Sequence, residues 1–284
     1  MSALIQQTDE WLEFRKCHIG ASDAPIIMGV SPWTTPYQLW LEKLSLAEPK
    51  KKERHMIDGI RKEDMARDCF EKMTGIFVLQ DIVLHPKIEW MMASLDGIDI
   101  ERKNIVEIKC PGKIDHERAL QGKVPHKYYP QIQHQLEVCE LNMAHYFSYD
   151  GNTGVVLKVY RDDKYIKNML EYETEFWGCM QNFLPPKMSQ KDFNQKNDDV
   201  WKSTAIEWIS INKQMKELYD KEKELRELLI TMSDNQNCIG GGIRVSKTVR
   251  RGQVEYSNIP EIENVDLEKY RKGPVECWKI IQAK

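Results

Sequence analysis

Along the chain the spacing of apolar positions switches between two periods, and each switch marks an element. Over residues 90–111, WMMASLDGIDIERKNIVEIKCP, the period is two. That alternation predicts strands over 91–95, 98–101 and 105–110, with turns at Gly97 and at Asn104. Elsewhere the period is helical. Residues 8–16 predict a helix capped by Thr8 or Asp9, and Ser22 or Asp23 opens another that runs to Met28 and stops at Gly29. Residues 35–44 predict a third helix, with Pro36 at an early position. Met56, Ile60, Met65, Cys69, Phe70 and Met73 share a helical stripe over 54–74 that Gly75 closes. A strand over 77–85 leads into the central stretch, and 112–122 read as a loop with a short helix.

Residues 128–140 predict a helix starting near Pro130, with Gln131 and Gln135 on one face and Ile132, Leu136 and Cys139 on another. Strands over 144–150 and 155–161 flank the turn DGNTG, and a helix over 164–184 ends at Pro185-Pro186. The polar residues 187–200 read as a linker. Residues 201–232, rich in Lys, Glu and Leu, predict one long helix suited to an oligomer contact. After the Gly240-Gly241-Gly242 turn, IRVSKTV, QVEYSNI and CWKIIQ predict short strands around a small helix near Leu267. So small a tail buries little by itself. The expected organisation is a core over 1–186, a linker over 187–200 and a helical and β extension over 201–284.

The strand over 105–110 carries the chemistry. Alternation sets Glu107 and Lys109 on one face and Val106 and Ile108 on the other. Asp96, at the end of the neighbouring strand, can meet them, with the Ile108 carbonyl between. Two carboxylates and a carbonyl are the hard oxygens that Mg²⁺ takes, with water and phosphate completing the octahedron. Lys109 is placed to orient or deprotonate a bound water, or to offset phosphate charge. This D…ExK spacing is the pattern of the PD-(D/E)xK nucleases. A Glu-x-Lys on a strand also fits a solvated face, so the rest of the chain must decide. Arg15 and Ser22 flank a predicted helix N-terminus, where free N–H groups favour an anion. Glu63 lies on the 54–74 helix and reads either as a surface residue or as support for the cluster. The basic run PKKKER, 49–54, fits a solvated linker as well as a backbone-binding edge.

Charge and cysteine usage narrow the class. A net charge of −3 excludes a generic basic DNA coat, so nucleic-acid contact needs a local basic surface. The seven cysteines, at 17, 69, 110, 139, 179, 238 and 277, form no CxxC. They point to reduced thiols in a cytoplasm and away from zinc or an iron–sulfur cluster of the Cas4 kind. No run of 18 apolar residues predicts a membrane span, and MSALIQQTDEW lacks the pattern of a signal peptide.

Five blocks then occur in order: Arg15 with GASDAPIIMGVSPW, GIRKEDMARDCFE, SLDG, EIKCP and YYPQIQHQ. Together they resemble the YqaJ viral recombinase family, which includes the lambda-type alkaline exonucleases of phage recombination, over about residues 8–185. The tail RRGQVEYSNIPEIENVDLEKYRKGP resembles the extension of phage-type members. The resemblance implies an α/β fold: a PD-(D/E)xK restriction-endonuclease-like core with a mixed central sheet flanked by helices, plus a long C-terminal helix and a small β extension. It implies metal ligation by Asp96, Glu107 and the Ile108 carbonyl, with Lys109 as the catalytic lysine. Glu63 would support the metal site, Gln131 would touch the reaction centre, and Arg15, Ser22 and Ser94 would hold a 5′-phosphate. Lambda-type members carry an arginine six residues after the catalytic lysine; here that place is Asp115, with Lys113 or Arg118 as substitutes.

The implied activity is Mg²⁺-dependent resection of duplex DNA 5′ ends, with Mn²⁺ able to substitute, in the cytoplasm of a bacterial host. The implied partners are duplex DNA ends, a single-strand annealing protein and further copies in a trimeric ring. A structure-specific endonuclease and a non-catalytic DNA-binding recombination factor are the alternatives, and an intact Asp96, Glu107 and Lys109 set speaks against the latter.

Overall fold

Eight consecutive residues, Met91–Ile98, form the axis on which the sheet is built. The structure is a computed structural model that describes residues 6, 8–47 and 54–252 and isolated positions beyond, with side chains from 62 onward in the helix that opens at Arg54. It divides into two units, Met1–Phe193 and Asn194–Lys284. Six strands make the sheet of the first: β1 (Ile19–Gly20), β2 (Leu79–Leu84), β3 (Met91–Ile98), β4 (Ile105–Lys109), β5 (Met143–Tyr149) and β6 (Gly154–Tyr160). Strand β2 runs antiparallel along one edge of β3 from Met92 to Ile98. The opposite edge is shared: parallel β1 takes Met91 and Met92, and antiparallel β4 takes only Gly97 and Ile98. Strand β4 then pairs in parallel with β5, and β5 with antiparallel β6. The fold is thus mixed α/β.

Seven helices belong to the described part of this unit: α1 (Asp9–Lys16), α2 (Ala24–Ile27), α3 (Pro36–Lys43), α4 (Arg54–Thr74), α5 (Lys113–Leu120), α6 (Tyr129–Val138) and α7 (Asp163–Gln181). They cover both faces of the sheet, as apolar side chains on both faces require. On one face Met91, Ala93, Leu95, Ile105, Ala144 and Tyr146 pack on Ile132 and Leu136 of α6 and Ile166 and Met169 of α7. On the other, Val106, Ile108 and Phe147 pack on Ala66 and Phe70 of α4. Ile105 and Val106 therefore part to opposite layers, and Glu107 follows Ile105 toward α6.

Three local expectations are corrected. Residues 98–101 form no separate strand, and the chain does not turn at Gly97. Strand β3 continues through Gly97, and the reversal lies beyond it, where Asp99 binds the amides of Lys103 and Asn104 at 2.7 and 3.0 Å. Glycine is needed at 97 because a Cβ there would lie 2.5 Å from Val78 Cγ2 and 2.8 Å from Val106 Cγ1. The single-turn helix Ala24–Ile27 lies where it was expected, between Asp23 and Met28, but the expected cap bond is absent: the Asp23 carboxylate binds Arg15, Lys43 and the Gly20 N–H instead. Residues 190–192, read as linker, form a 3₁₀ turn whose Asp192 accepts from Thr35 Oγ1.

The second unit contains α8 (Asp199–Met232), capped by Asp198, and a hairpin of β7 (Cys238–Gly240) and β8 (Ile243–Val245). Ile211, Met215, Leu218, Leu225, Leu229 and Met232 of α8 follow spacings of three and four, broken at Glu222, and are exposed. The strands predicted from QVEYSNI and CWKIIQ, the helix near Leu267 and nearly all of the basic run 49–54 lie outside the described residues. No helix among the described residues is long and apolar enough to cross a membrane.

One buried ion pair locks α6 to α7. His134 Nδ1 lies 2.7 Å from Glu173 Oε1 and Nε2 lies 2.9 Å from the Met92 carbonyl, with both side chains fully buried. Burial opposes protonation of the imidazole, but Glu173 and the carbonyl outweigh it and raise its proton affinity. The pair's stabilisation is therefore complete below the ordinary value of 6.5 and fades as pH rises through the raised value of His134. Accordingly, the difference in Tm between the wild type and Glu173→Gln should narrow from about pH 6 to about pH 9. A difference that stays constant over that range would show His134 to be neutral throughout.

Candidate active site

Strands β3 and β4 hydrogen-bond only at Gly97 and Ile98 and then part. In the opening, the Asp96 carboxylate replaces the ladder: its Oδ2 accepts from the Ile108 N–H at 2.8 Å. The period-two pattern of β4 puts Glu107 and Lys109 side by side, and the Lys109 ammonium contacts Glu107 Oε1. Glu107 has no exposed surface. Its other oxygen accepts from Gln135 Nε2 on α6. Lys109 also lies 5.5 Å from the Tyr128 ring centre.

A buried carboxylate, Glu107, and a half-buried one, Asp96, facing one ammonium leave negative charge in excess. Asp96 responds: burial and the Glu107 charge push its proton affinity well above the usual carboxylate range, against the pull of Lys109. Lys109 responds the other way. Burial opposes its charge, but Glu107 and Asp96 outweigh burial and hold the proton more tightly than in free lysine. The Oε1 of Gln135, beside Glu107, is buried without a hydrogen-bond partner. An electron-rich set of oxygens short of positive charge suits a divalent cation. Among the described residues no three His, Cys, Asp or Glu side chains form a metal cage. What the opening between the strands offers is two carboxylates, Asp96 and Glu107.

The remaining sequence-predicted residues divide into two groups. Glu63 is linked to the cluster through Arg67, which donates to Glu63 Oε1 at 3.0 Å and to the Asp96 carbonyl at 3.1 Å. Gln80 also donates to Glu63, at 2.7 Å. Gln131 lies one turn before Gln135 on α6 and is half-buried. The second group centres on Arg15, whose Nη2 donates to Ser22 Oγ at 2.6 Å and to Asp23 Oδ1 at 3.1 Å. The guanidinium lies 5.3 Å from the centre of Trp11, and Trp11 Nε1 donates to Ser94 Oγ at 3.1 Å. Arg15, Ser22 and Ser94 are thus joined through Trp11.

Beneath Arg15 sits a buried pair that sequence reasoning missed. The Lys43 ammonium contacts Asp23 Oδ2 at 2.5 Å and donates to the carbonyls of Arg15 at 2.8 Å and His18 at 2.6 Å. Asp23 also accepts from the Gly20 N–H at 2.9 Å. Burial raises the Asp23 carboxyl, but Lys43 and Arg15 override it and hold it at about 2. Burial lowers Lys43 more than Asp23 restores; the ammonium still has an acceptor for each of three protons. In sequence, Lys43 reads as the basic last turn of an amphipathic helix, and only the tertiary fold buries it. Asp115 likewise gained its meaning from the fold: it binds Lys127 at 2.7 Å, whereas Lys113 is exposed.

Sheet order and helical layers define the class: a mixed α/β fold with a central mixed sheet flanked by helices. Residues 10–142 match the family described as the YqaJ-like viral recombinase domain. "Uncharacterized protein YqaJ" of Bacillus subtilis (strain 168) is 28% identical over 243 residues, covering 76% of this chain and 75% of that protein. The alkaline exonuclease LHK-Exo from Laribacter hongkongensis is similar in fold. It is 24% identical and aligns with 62% of this chain and 94% of its own, with a TM-score of 0.54. Its complex with dAMP gives 0.55 at the same identity and coverage.

Removing one member of the Asp23–Lys43 pair strands the other charge in the interior. Lys43→Met should cost about 3–5 kcal/mol in denaturant unfolding, and Asp23→Asn in the same chain should return much of it. The carboxylate's share is present above the ordinary 3.8 and is lost as pH falls toward about 2. Additive losses in the double variant would mean that the two charges do not stabilise each other.

Proposed function

We propose that the protein is a metal-dependent exodeoxyribonuclease that resects duplex DNA from 5′ ends. One observation carries the reading: a buried glutamate, Glu107, shares its charge with Lys109 beside Asp96 where two strands part. The match of residues 10–142 to the YqaJ-like viral recombinase domain supports it. Asp96, Glu107 and the Ile108 carbonyl would hold Mg²⁺ or Mn²⁺. Such an ion supplies Lewis acidity toward the phosphate and makes hydroxide available near neutral pH.

The chain's own groups do the rest. Lys109 keeps its proton while Glu107 faces it, so it serves as a charge for the phosphate in flight and as an orienting donor, not as a base. Gln135 holds Glu107 by its amide, and Gln131 is the next glutamine on that face toward solvent. Glu63 orients Arg67 against the Asp96 backbone. Hydrolysis breaks the P–O3′ bond, so the shortened strand carries a new 5′-phosphate. Arg15, Ser22 and Ser94 would receive it, with the Arg15 fork donating to its oxygens. The one-turn α2 contributes little dipole, so the buried Asp23–Lys43 pair that holds Arg15 takes over the positioning. An annealing protein that takes the 3′ single strands, and a homo-oligomeric ring, are the partners this activity calls for.

The test is digestion of linear duplexes labelled at either end, with and without 5′-phosphate, beside a closed circle, in Mg²⁺ and in EDTA. Asp96→Ala and Glu107→Ala should abolish cleavage, and Lys109→Ala should lose turnover while still binding metal by calorimetry. Arg15→Ala should erase the preference for phosphorylated ends. Nicking of the closed circle would make the protein an endonuclease, and full turnover by Lys109→Ala would remove that residue from the chemistry.

The unit from Asn194 onward is proposed as an appendage to the catalytic core, attached through the polar residues beginning near 187. A chain ending at Phe193 should remain folded and cleave DNA. An unfolded product would assign the extension to the core.

A further inference from the structure

A row of aromatic rings and ammonium groups leads away from Lys109. Lys109 Nζ lies 5.5 Å from the centre of the Tyr128 ring, Lys127 Nζ lies 5.1 Å from that same ring, and Lys127 Nζ lies 4.4 Å from the centre of Trp33. The row ends in solvent: Trp33 is 67% exposed.

The loop that carries Trp33 is held on both sides. Ser31 Oγ accepts from the amides of Trp33 and Thr34 at 3.3 and 3.4 Å. Thr35 and Gln38 form a reciprocal capping box at the start of α3, and Thr35 Oγ1 donates to Asp192. Lys191 Nζ reaches the Pro32 carbonyl at 3.5 Å. Lys127 is fixed by Asp115, whose Oδ2 lies 2.7 Å from its ammonium. Ring and cation are therefore pre-set, and little conformational entropy remains to be lost on binding.

We propose that Trp33 and Lys127 form a nucleotide subsite, in which a base of the bound DNA stacks on the Trp33 indole while its phosphate lies against Lys127. The idea rests on the nuclease reading, because the row starts at Lys109. The chemistry matches on both counts: a base presents a π face of either strand without regard to sequence, and the adjoining phosphate presents an anion. An indole flanked by a lysine and connected by rings to the cleavage cluster fits that pairing better than it fits an apolar protein surface.

Binding is measured in EDTA, where no cleavage occurs, with 5′-phosphorylated duplexes ending in a short single strand. Trp33→Ala should weaken binding by about 5- to 150-fold, and Trp33→Phe should keep most of the affinity. Lys127→Met should weaken binding and reduce the slope of log affinity against log salt by about 1. A single abasic nucleotide, walked through the first positions of each strand, should at one position reproduce the loss in the wild type and add nothing in Trp33→Ala. A merely structural role would not show that dependence on the base. Unchanged affinity in Trp33→Ala overturns the subsite. So does a loss accompanied by a change of assembly in light scattering, which would make Trp33 a contact between subunits. Digestion by the wild type separates the two ideas: a wild type that leaves labelled duplexes intact defeats the nuclease reading, and one that digests them while Trp33→Ala binds normally defeats only the stacking.

Discussion

A carboxylate with no access to water sets the terms for this fold. Burying the charge of Glu107 is costly unless every neighbour contributes to it. The ammonium of Lys109 comes from two residues along the same strand and the amide of Gln135 from α6. The position of α6 is in turn held by the buried His134–Glu173 pair and by the Met92 carbonyl on β3. Sheet, helix and ion pair thus depend on one another through a single side chain. The neighbouring Asp96 worsens the balance of charge instead of relieving it.

The parting of β3 and β4 serves the same end. A continuous antiparallel ladder would bury the backbone of Ile108 against Leu95 and leave no room for a ligand. With pairing limited to Gly97 and Ile98, the Ile108 amide is free to be taken by Asp96. Satisfying the amide with a side chain keeps the buried backbone paired while the strands diverge. The missing Cβ at Gly97 lets β3 approach Val78 and Val106 at the last point before the split.

Much of this was legible in the sequence, because strand alternation is a local rule. It assigned Glu107 and Lys109 to one layer and Val106 and Ile108 to the other, and the structure has them there. Ordered short blocks led to the family, and the helix periods of α4, α6, α7 and α8 matched their extents to within a few residues. What escaped were features set by contacts distant in sequence. Gly97 read as a turn because glycine in isolation permits one; its close contacts with Val78 and Val106 appear only when three strands are assembled. Gln135 and Gln131 share a face, and only the register of α6 against β4 gives Glu107 to Gln135. Asp23 has the composition of a helix cap, yet a lysine twenty positions later claims it. Lys127 and Trp33 lie far apart in the chain, and no periodicity connects them.

Strand β4 has five residues, and its neighbours leave it no freedom to slide: Val106 opposes Gly97 on one side and His145 on the other. Side chains alternate with period two, so a deletion of one residue inside this strand would deliver Val106 and Ile108 to the layer of α6 and send the glutamate and lysine into the apolar layer under α4. The hairpin ahead of it, closed by Asp99, lies at the sheet's margin and can change length without disturbing that parity. Over evolutionary time the two neighbouring segments should therefore drift under different rules. The hairpin can gain and lose residues freely, while the strand beside it accepts substitutions but never a change in count.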